Sequence, residues 1–419
     1  MPLALSKGLS ARFLFALPIA LVAMGSIELS ADTNLDDTLS REERQKIDLS
    51  KYSVTDTNAS YFDVKARMAL LEQTDSTILL QVSDKLSMGP SCRQETNSEP
   101  ITTRGAIPGF YPSRTAWELA TGPLFDFEDS VSNLAGSFVA SGDIYYAECL
   151  VRYLYGWAEA EALTDFVYDA AQPQAWFASE SMLFAAAMAY SIVRPYIDGL
   201  EEERADIEQW LQGLALQHSA VPGPPQDSCC NNHLYRRALY ATMIGVLVED
   251  NDLFRFGVSA IYSALHDMTE EGALPLEMSR GRRATHYQNY ALNYLITNMQ
   301  VIHRQGYDIF NLEYEDSNIH EGVDYLFQIL DDPATLGDYA PREQYTGFLR
   351  DPQYFTWMEI YLSHFDQQRM ASLITRARPT YSRSAGGHVT LYFMDPDAQE
   401  HIHTDEQRQE TEAFRGLDN

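Results

Sequence analysis

Positive charge is scarce in this chain. It has 30 Lys+Arg against 60 Asp+Glu, a formal net charge of −30 over 419 residues. Nucleic acid is thereby excluded as the main partner, because phosphate binding needs a basic face. Read as an average, the deficit also argues against a polyanionic substrate. Long apolar runs are equally scarce. The clearest, Phe13 to Met24, follows Lys7 and Arg12 and precedes Gly25, Ser26, Ser30 and Ala31. It falls short of the roughly 20 residues a spanning helix needs. Its layout predicts a secretory signal peptide over residues 1–31, cut near Gly25–Ser26 or after Ala31. With no cysteine near the cut, lipid attachment there is not expected, and no membrane association is expected after cleavage. Cysteine is sparse as well: Cys92, Cys149, Cys229 and Cys230. An even number in an exported chain suggests disulfides, and four cysteines allow three pairings. The adjacent Cys229–Cys230 lacks the spacer of a zinc knuckle, and His401-Ile-His403 sits among acidic residues. No metal site and no cofactor are expected.

Apolar residue is not lacking: 45% of the chain is hydrophobic and 12% aromatic, which supports a large packed core. Residues 32–58 are polar and acidic, and are expected to wrap the outside or stay mobile. The stretch from Ser87 to Pro123, rich in Pro, Gly, Ser and Thr, is expected to be irregular, as lids often are. After it, helical periodicity runs in series. Val131, Leu134 and Phe138 share a face and Gly142 closes that helix. Tyr145–Leu163 continues, Trp176–Val193 is apolar nearly all round, and Asp198 can cap a helix whose core face carries Ile207, Trp210 and Leu214. Further helices are expected at about 234–248, 253–268, 284–304, 319–331 and 353–365, with a strand-like run at His388 to Phe393. No β-α-β rhythm and no clean repeat occur. The expected class is all-α, built of antiparallel helical hairpins; a toroid of helix pairs fits, as does another helical stack. Residues 395–419, with eight acidic and two basic residues, read as a loose tail after a domain spanning 59–394.

Two segments stand out against the acidic background. One is Asp227-Ser-Cys-Cys-Asn-Asn-His-Leu-Tyr, at the start of a helix. The other runs from Glu277 through Arg280, Arg282 and Arg283 into His286-Tyr-Gln-Asn-Tyr-Ala-Leu. From Met278 to Tyr307 no acidic residue occurs, while Arg280, Arg282, Arg283 and Arg304 do. Asn232 and His233 at a helix N-terminus suit an anion. Arg280 can hold a carboxylate through a fork of hydrogen bonds. A guanidinium near Tyr287 would favour its phenolate. Tyr287, Tyr290, Ala291 and Tyr294 share a helical face. Such a set suits removal of a proton α to a carboxylate, with positive charge stabilising the enolate-like transition state and an acid assisting the leaving glycosidic oxygen. Each signal alone has a plainer reading: a helix cap, a packed tyrosine stripe, a solvated arginine cluster. Two carboxylates flanking a bond, as a glycoside hydrolase needs, are not evident: Glu277 is the acid close to the Arg280–Tyr287 constellation, and no partner for it is apparent.

Together the segments resemble the alginate lyases of polysaccharide lyase family 5. That family has an Asn-Asn-His motif, after a Cys-Cys pair in some members, then an Arg followed seven residues later by the Tyr of a His-Tyr-x-Asn-Tyr-Ala signature. His233, Arg280 and Tyr287 fall in that order and spacing. Ala59-Ser-Tyr-Phe-Asp-Val-Lys-Ala-Arg, Asp252-Leu-Phe-Arg-Phe-Gly and the helix with Trp357 and Glu359 extend the likeness to about 60–390. The resemblance implies an incomplete α/α toroid with a deep cleft and a lid loop, and endolytic β-elimination of alginate, usually at mannuronate. By position it implies that Asn232 and His233 neutralise the substrate carboxylate, that Arg280 binds and tunes, and that Tyr287 acts as acid and as base. His233 as base is the competing assignment. It implies disulfides Cys92–Cys149 and Cys229–Cys230. Lys65, Arg67, Arg104, Tyr111, Arg283 and Tyr290 are the further candidates for substrate binding, Lys65 and Arg67 with a surface role as the alternative. Where compared members read Ser-Tyr-Trp after the motif, this chain reads Leu234-Tyr235-Arg236, an aromatic replaced by a cation. The lid also departs, reading Thr103-Arg-Gly-Ala-Ile-Pro-Gly-Phe-Tyr. The implied partner is alginate, met by a monomer in the periplasm or outside the cell. A broader polyuronate lyase of glucuronan type, or a non-catalytic polyuronate-binding protein, is the alternative.

Overall fold

The computed structural model describes residues 38–401 apart from 90, 111, 170, 172 and 221–229. The expected signal peptide, Tyr111, Cys229 and most of the acidic tail therefore lie outside the described residues. Sixteen α-helices occur among the described residues: α1 Arg41–Arg44, α2 Val64–Leu71, α3 Thr77–Ser87, α4 Cys92–Glu95, α5 Arg114–Ser141, α6 Ile144–Glu159, α7 Gln174–Val193, α8 Glu201–Ser219, α9 Asn232–Val248, α10 Asn251–Asp267, α11 Pro275–Met278, α12 Ala284–His303, α13 Ile319–Asp331, α14 Thr356–Leu362, α15 Gln368–Ala377 and α16 Val389–Phe393. The only strand-like pairings described are two isolated bridges, Tyr314 with Ser317 and Ser382 with Gly387. The fold is all-α, as the sequence pattern led us to expect, and of the arrangements that pattern left open it is the toroid of helical hairpins that the family resemblance implied.

Tight connections make the hairpins antiparallel. Gly142, with φ of 69°, closes α5 by donating its N–H to Phe138 O at 2.8 Å, and Asp143 caps α6 one residue later. Glu249 and Asp250 alone separate α9 from α10. Helix α9 is the hub, packing against α7, α8, α10 and α12. Helix α7 is long and apolar enough to cross a membrane, but 83% of its apolar window is buried inside the protein. It serves as a core helix, its all-round apolarity matched by neighbours on every side.

Three expectations are corrected. His388–Phe393 is helical, not extended: the five residues Val389–Phe393 form α16, fully packed, and a short apolar run does not itself distinguish strand from buried helix. The irregular stretch is shorter than expected, because α5 begins at Arg114 and carries Pro123 inside it. Helix α8 starts from Leu200 in the left-handed region, so Asp198 is not its cap. Of the two alternatives for the polar N-terminal segment, residues 38–58 wrap against the helices: Val54 N–H donates to Asn251 Oδ1, Thr55 and Asp56 N–H donate to Gln305 Oε1, and Leu49 and Tyr52 are buried. At the other end Glu400 accepts from Ser76 Oγ and Ile78 N–H, capping α3. One expected pairing is present: Cys92 and Cys149 are bonded, tying α4 to α6. Cys230 is also in a disulfide.

Candidate active site

The start of α9 is set by its own residues. Asn231 caps the helix, its Oδ1 accepting from His233 N–H at 3.0 Å. Asn232 turns inward, away from the cleft. Its backbone N–H donates to Glu277 Oε1 at 2.6 Å, and its Nδ2 donates to Glu277 Oε2 at 2.9 Å and Oε1 at 3.2 Å. His233 turns outward. Its ring lies on Phe177, centroids 4.2 Å apart and 27° from parallel, and its Nδ1 is 4.0 Å from Glu180 Oε2. Burial, reinforced by the Arg236 and Arg237 charges, lowers its pKa to about 4 despite Glu180. The imidazole is therefore neutral at neutral pH. With Nδ1 facing a carboxylate, Nε2 is the nitrogen left to accept a proton.

Glu180, on α7, is fully buried beneath this histidine. Arg236 donates to its Oε2 from Nη2 at 2.5 Å and Nε at 2.9 Å, and to Phe177 O at 2.8 Å; Arg237 reaches Oε1 at 3.4 Å. Burial alone would raise the Glu180 pKa, but Arg236, then His233 and Arg237, bring it to about 2. The cation that replaces an aromatic after the Asn-Asn-His motif thus lies in the cleft wall, clamped to a buried carboxylate.

The opposite wall comes from the 280–283 turn and α12. The Arg280 guanidinium lies over the Tyr287 ring at 4.7 Å and Arg283 over Tyr345 at 5.6 Å. Tyr294, buried one helical turn below, donates its O–H to Tyr290 Oη at 2.6 Å. His286 packs among Phe348, Tyr354 and Tyr345, and burial with the Arg283 charge lowers its pKa to about 4. Across from these, Arg383 holds Asp129 through Nε at 2.8 Å and Nη2 at 2.5 Å.

His233, Arg280, Arg283, Tyr287 and Tyr290 line one cleft of about 930 Å³, together with Asn231, Arg114, Arg236, Arg383 and the rings of Phe110, Trp117, Tyr168, Phe177, Tyr345 and Tyr354. Aromatic faces and guanidinium groups suit a chain of acidic sugars. Glu128 is the only acidic residue among the described lining. Burial raises its pKa to about 7, although Arg383 and a 2.7 Å hydrogen bond from Ser181 Oγ favour the ion.

Four candidates stand elsewhere: Asn232, expected to neutralise the substrate carboxylate, spends its amide on Glu277 and does not line the cleft, and three more lie outside it. Arg67 is buried, its guanidinium spent on the carbonyls of Leu391 at 2.5 Å, Met394 at 2.8 Å and Thr390 at 3.3 Å. Lys65 is exposed on α2 and does not line the cleft. Arg104 donates to Val167 O and pairs with Asp169 at 3.5 Å, outside the lining. The likeness at 59–67 and in the lid stretch nominated these cations, but position along a helix or loop decides what each meets, and Lys65 takes the surface place that was its alternative. Sequence reading missed Arg114 and Trp117, hidden in the stretch taken as irregular, and Glu180 and Arg383, distant in sequence from both motifs.

The family model described as alginate lyase matches residues 48–336. The chain belongs to the alginate lyase family. A polysaccharide lyase of Stenotrophomonas maltophilia is 29% identical over 273 residues, 65% of this chain and 79% of that protein. An alginate lyase of Pseudomonas aeruginosa is 26% identical over 273 residues, 64% of this chain and 74% of that protein. Among solved structures, alginate lyase A1-III of Sphingomonas species A1 matches with a TM-score of 0.76 at 29% identity, over 83% of this chain and 99% of that one. A variant of A1-III complexed with a tetrasaccharide matches at 0.76 and 30%, over 84% and 99%. This alginate lyase is thus similar in fold along nearly the whole length of that enzyme.

Proposed function

We propose that the protein cleaves mannuronate-rich alginate endolytically by β-elimination. The polymer lies along the cleft, its rings on the aromatic wall and its carboxylates on the arginines. At the reacting unit, positive charge from Arg280 and donors at the α9 N-terminus neutralise the carboxylate, making the α proton acidic. A base removes that proton, the glycosidic C–O bond to the leaving sugar breaks, and a C=C bond forms within the ring. Tyr287 gives a proton to the leaving oxygen. At mannuronate the proton and the leaving oxygen share a face, so Tyr287, entering as the phenolate, takes the α proton and passes that same proton to the leaving oxygen; at guluronate they lie on opposite faces, neutral His233 is the natural base, and the Tyr287 phenol gives its own proton. The observation that carries this reading is the juxtaposition, in one cleft, of an uncharged His233 and a Tyr287 phenol stacked by the Arg280 guanidinium. Export to the periplasm or beyond belongs to the same proposal, supported by the Cys92–Cys149 disulfide.

Incubation with polymannuronate, polyguluronate, mixed alginate and polyglucuronate, followed by ultraviolet absorbance of the unsaturated uronate, tests the substrate. The fastest rate is expected on polymannuronate, with viscosity falling well before absorbance plateaus, as an endolytic cut requires. A faster rate on polyglucuronate would favour the broader lyase. Tyr287→Phe should lose at least ~100-fold in kcat, the low end of acid–base catalysis, while still binding polymer. Retention of most of the rate would remove Tyr287 from the acid/base role.

A further inference from the structure

Behind the cleft, Glu277 joins the two halves of the site. It lies on α11, three residues before Arg280, and its side chain is fully buried. Both of its oxygens are taken by one residue, through the backbone N–H and the Nδ2 of Asn232. A carboxylate only accepts hydrogen bonds, so it forces the nitrogen of the Asn232 amide inward and turns Oδ1 away. It also stands at the first turn of α9, where free N–H groups favour a negative neighbour. Helix α11 is itself anchored beside Tyr287. The next residue, Gln288, donates from Nε2 to Gly272 O at 2.9 Å and accepts from Leu274 N–H at 3.1 Å. Gly272, with φ of +97°, sits so close to Glu321 O that a Cβ would lie 2.2 Å from it. A continuous set of bonds therefore runs from α12 through the 272–274 loop and Glu277 to Asn232, flanked by Asn231 and His233 in the cleft.

We propose that Glu277 is a positioning residue for the elimination, holding the first turn of α9 in register with the Arg280–Tyr287 wall by fixing the amide of Asn232. The inference rests on the acid/base reading above. No other side-chain head of this length offers two acceptor oxygens. A glutamine oxygen in the place of Oε1 keeps the backbone N–H and the longer 3.2 Å bond, but sets its own NH2 where Oε2 accepted from Asn232 Nδ2 at 2.9 Å, donor against donor. Nor is the carboxylate explained as a stabilising ion pair, since no cation lies within 4 Å of it among the described residues.

The test is Glu277→Gln beside the parent enzyme on polymannuronate at pH 8, where Glu277 is ionised, with kcat, KM and melting temperature read together. Expected is a folded enzyme with KM within about twofold of the parent and kcat lower by about 10–100-fold, the scale of a misplacement near 1 Å. Glu277→Asp keeps two acceptors on a shorter arm and should fall between the two; it carries the test if the Gln variant does not fold. A folded Glu277→Gln with kcat within about threefold of the parent would overturn the inference, as would kcat and melting temperature falling while KM rises in both variants. A parent that yields no unsaturated product would instead strike the function itself.

Discussion

Two fully buried glutamates support the α9 N-terminus from opposite sides, and their chemistry diverges. Glu180 sits under two arginines, and its pKa is drawn down to about 2. Glu277 meets only the amide donors of Asn232 at hydrogen-bond distance, and burial outweighs the more distant Arg280 charge and those bonds, pushing its pKa up to about 7. Burial is equal, so partner charge decides the difference. A buried carboxylate is kept ionised by cations in contact; neutral donors orient it without offsetting its lost hydration. One glutamate holds charge in the wall, and the other holds geometry.

The strongest way to break this contrast is Glu180→Gln. It leaves Arg236 and Arg237 buried without their counter-charge, a change that costs about 3–5 kcal/mol in comparable cores. Denaturant melts should register that loss, whereas Glu277→Gln at pH 8 should match or exceed the parent. Equal losses in the two variants would dissolve the distinction.

The pH dependence of stability sharpens it, with opposite signs. Glu277 loses its proton near 4.5 when unfolded and near 7 when folded. Its contribution is complete below about 4.5 and disappears as pH rises through 7. Glu128 and Asp267, also raised to about 7 by burial, act in the same sense. Glu180 contributes fully above about 4.5 and loses its share as pH falls toward 2. Burial holds His218, His233, His286, His364 and His388 neutral, with pKa values lowered from 6.5; they act in the opposite sense, and their share is lost as pH falls below 6.5. The test is therefore the difference between parent and variant: from pH 5 to pH 8, Glu277→Gln should gain stability relative to the parent by one group's share. No change in that difference would mean that Glu277 is ionised throughout.

Much of this was legible beforehand, and the boundary is physical. Helix α5 announced its end at Gly142, and α7 its burial, because periodicity and φ > 0 are local properties. The Asn-Asn-His turn and the Arg280–Tyr287 run were likewise found within short windows. Local pattern fails where a residue's partner is remote. Arg67 looked like a cleft cation until the carbonyls of α16, over 300 positions away, claimed it. The motif named Asn232, yet which asparagine faces the cleft depends on Glu277, and Asn231 lines it instead. Net charge misled for the same reason: it averages over the chain, while the field that meets a polyanion is set by the arginines gathered in one cleft.

The smallest expected effect tests burial itself as the cause. Glu343 pairs with Arg282, but both side chains are mostly exposed, 78% and 65%. Water already solvates each partner, so pairing replaces little hydration and costs side-chain freedom. Glu343→Gln should leave the melting temperature within measurement scatter at both pH 5 and pH 8. A loss near that of Glu180→Gln would show that carboxylate–guanidinium contact stabilises this fold irrespective of depth, and the contrast between the two buried glutamates would then need a cause other than the cations at Glu180.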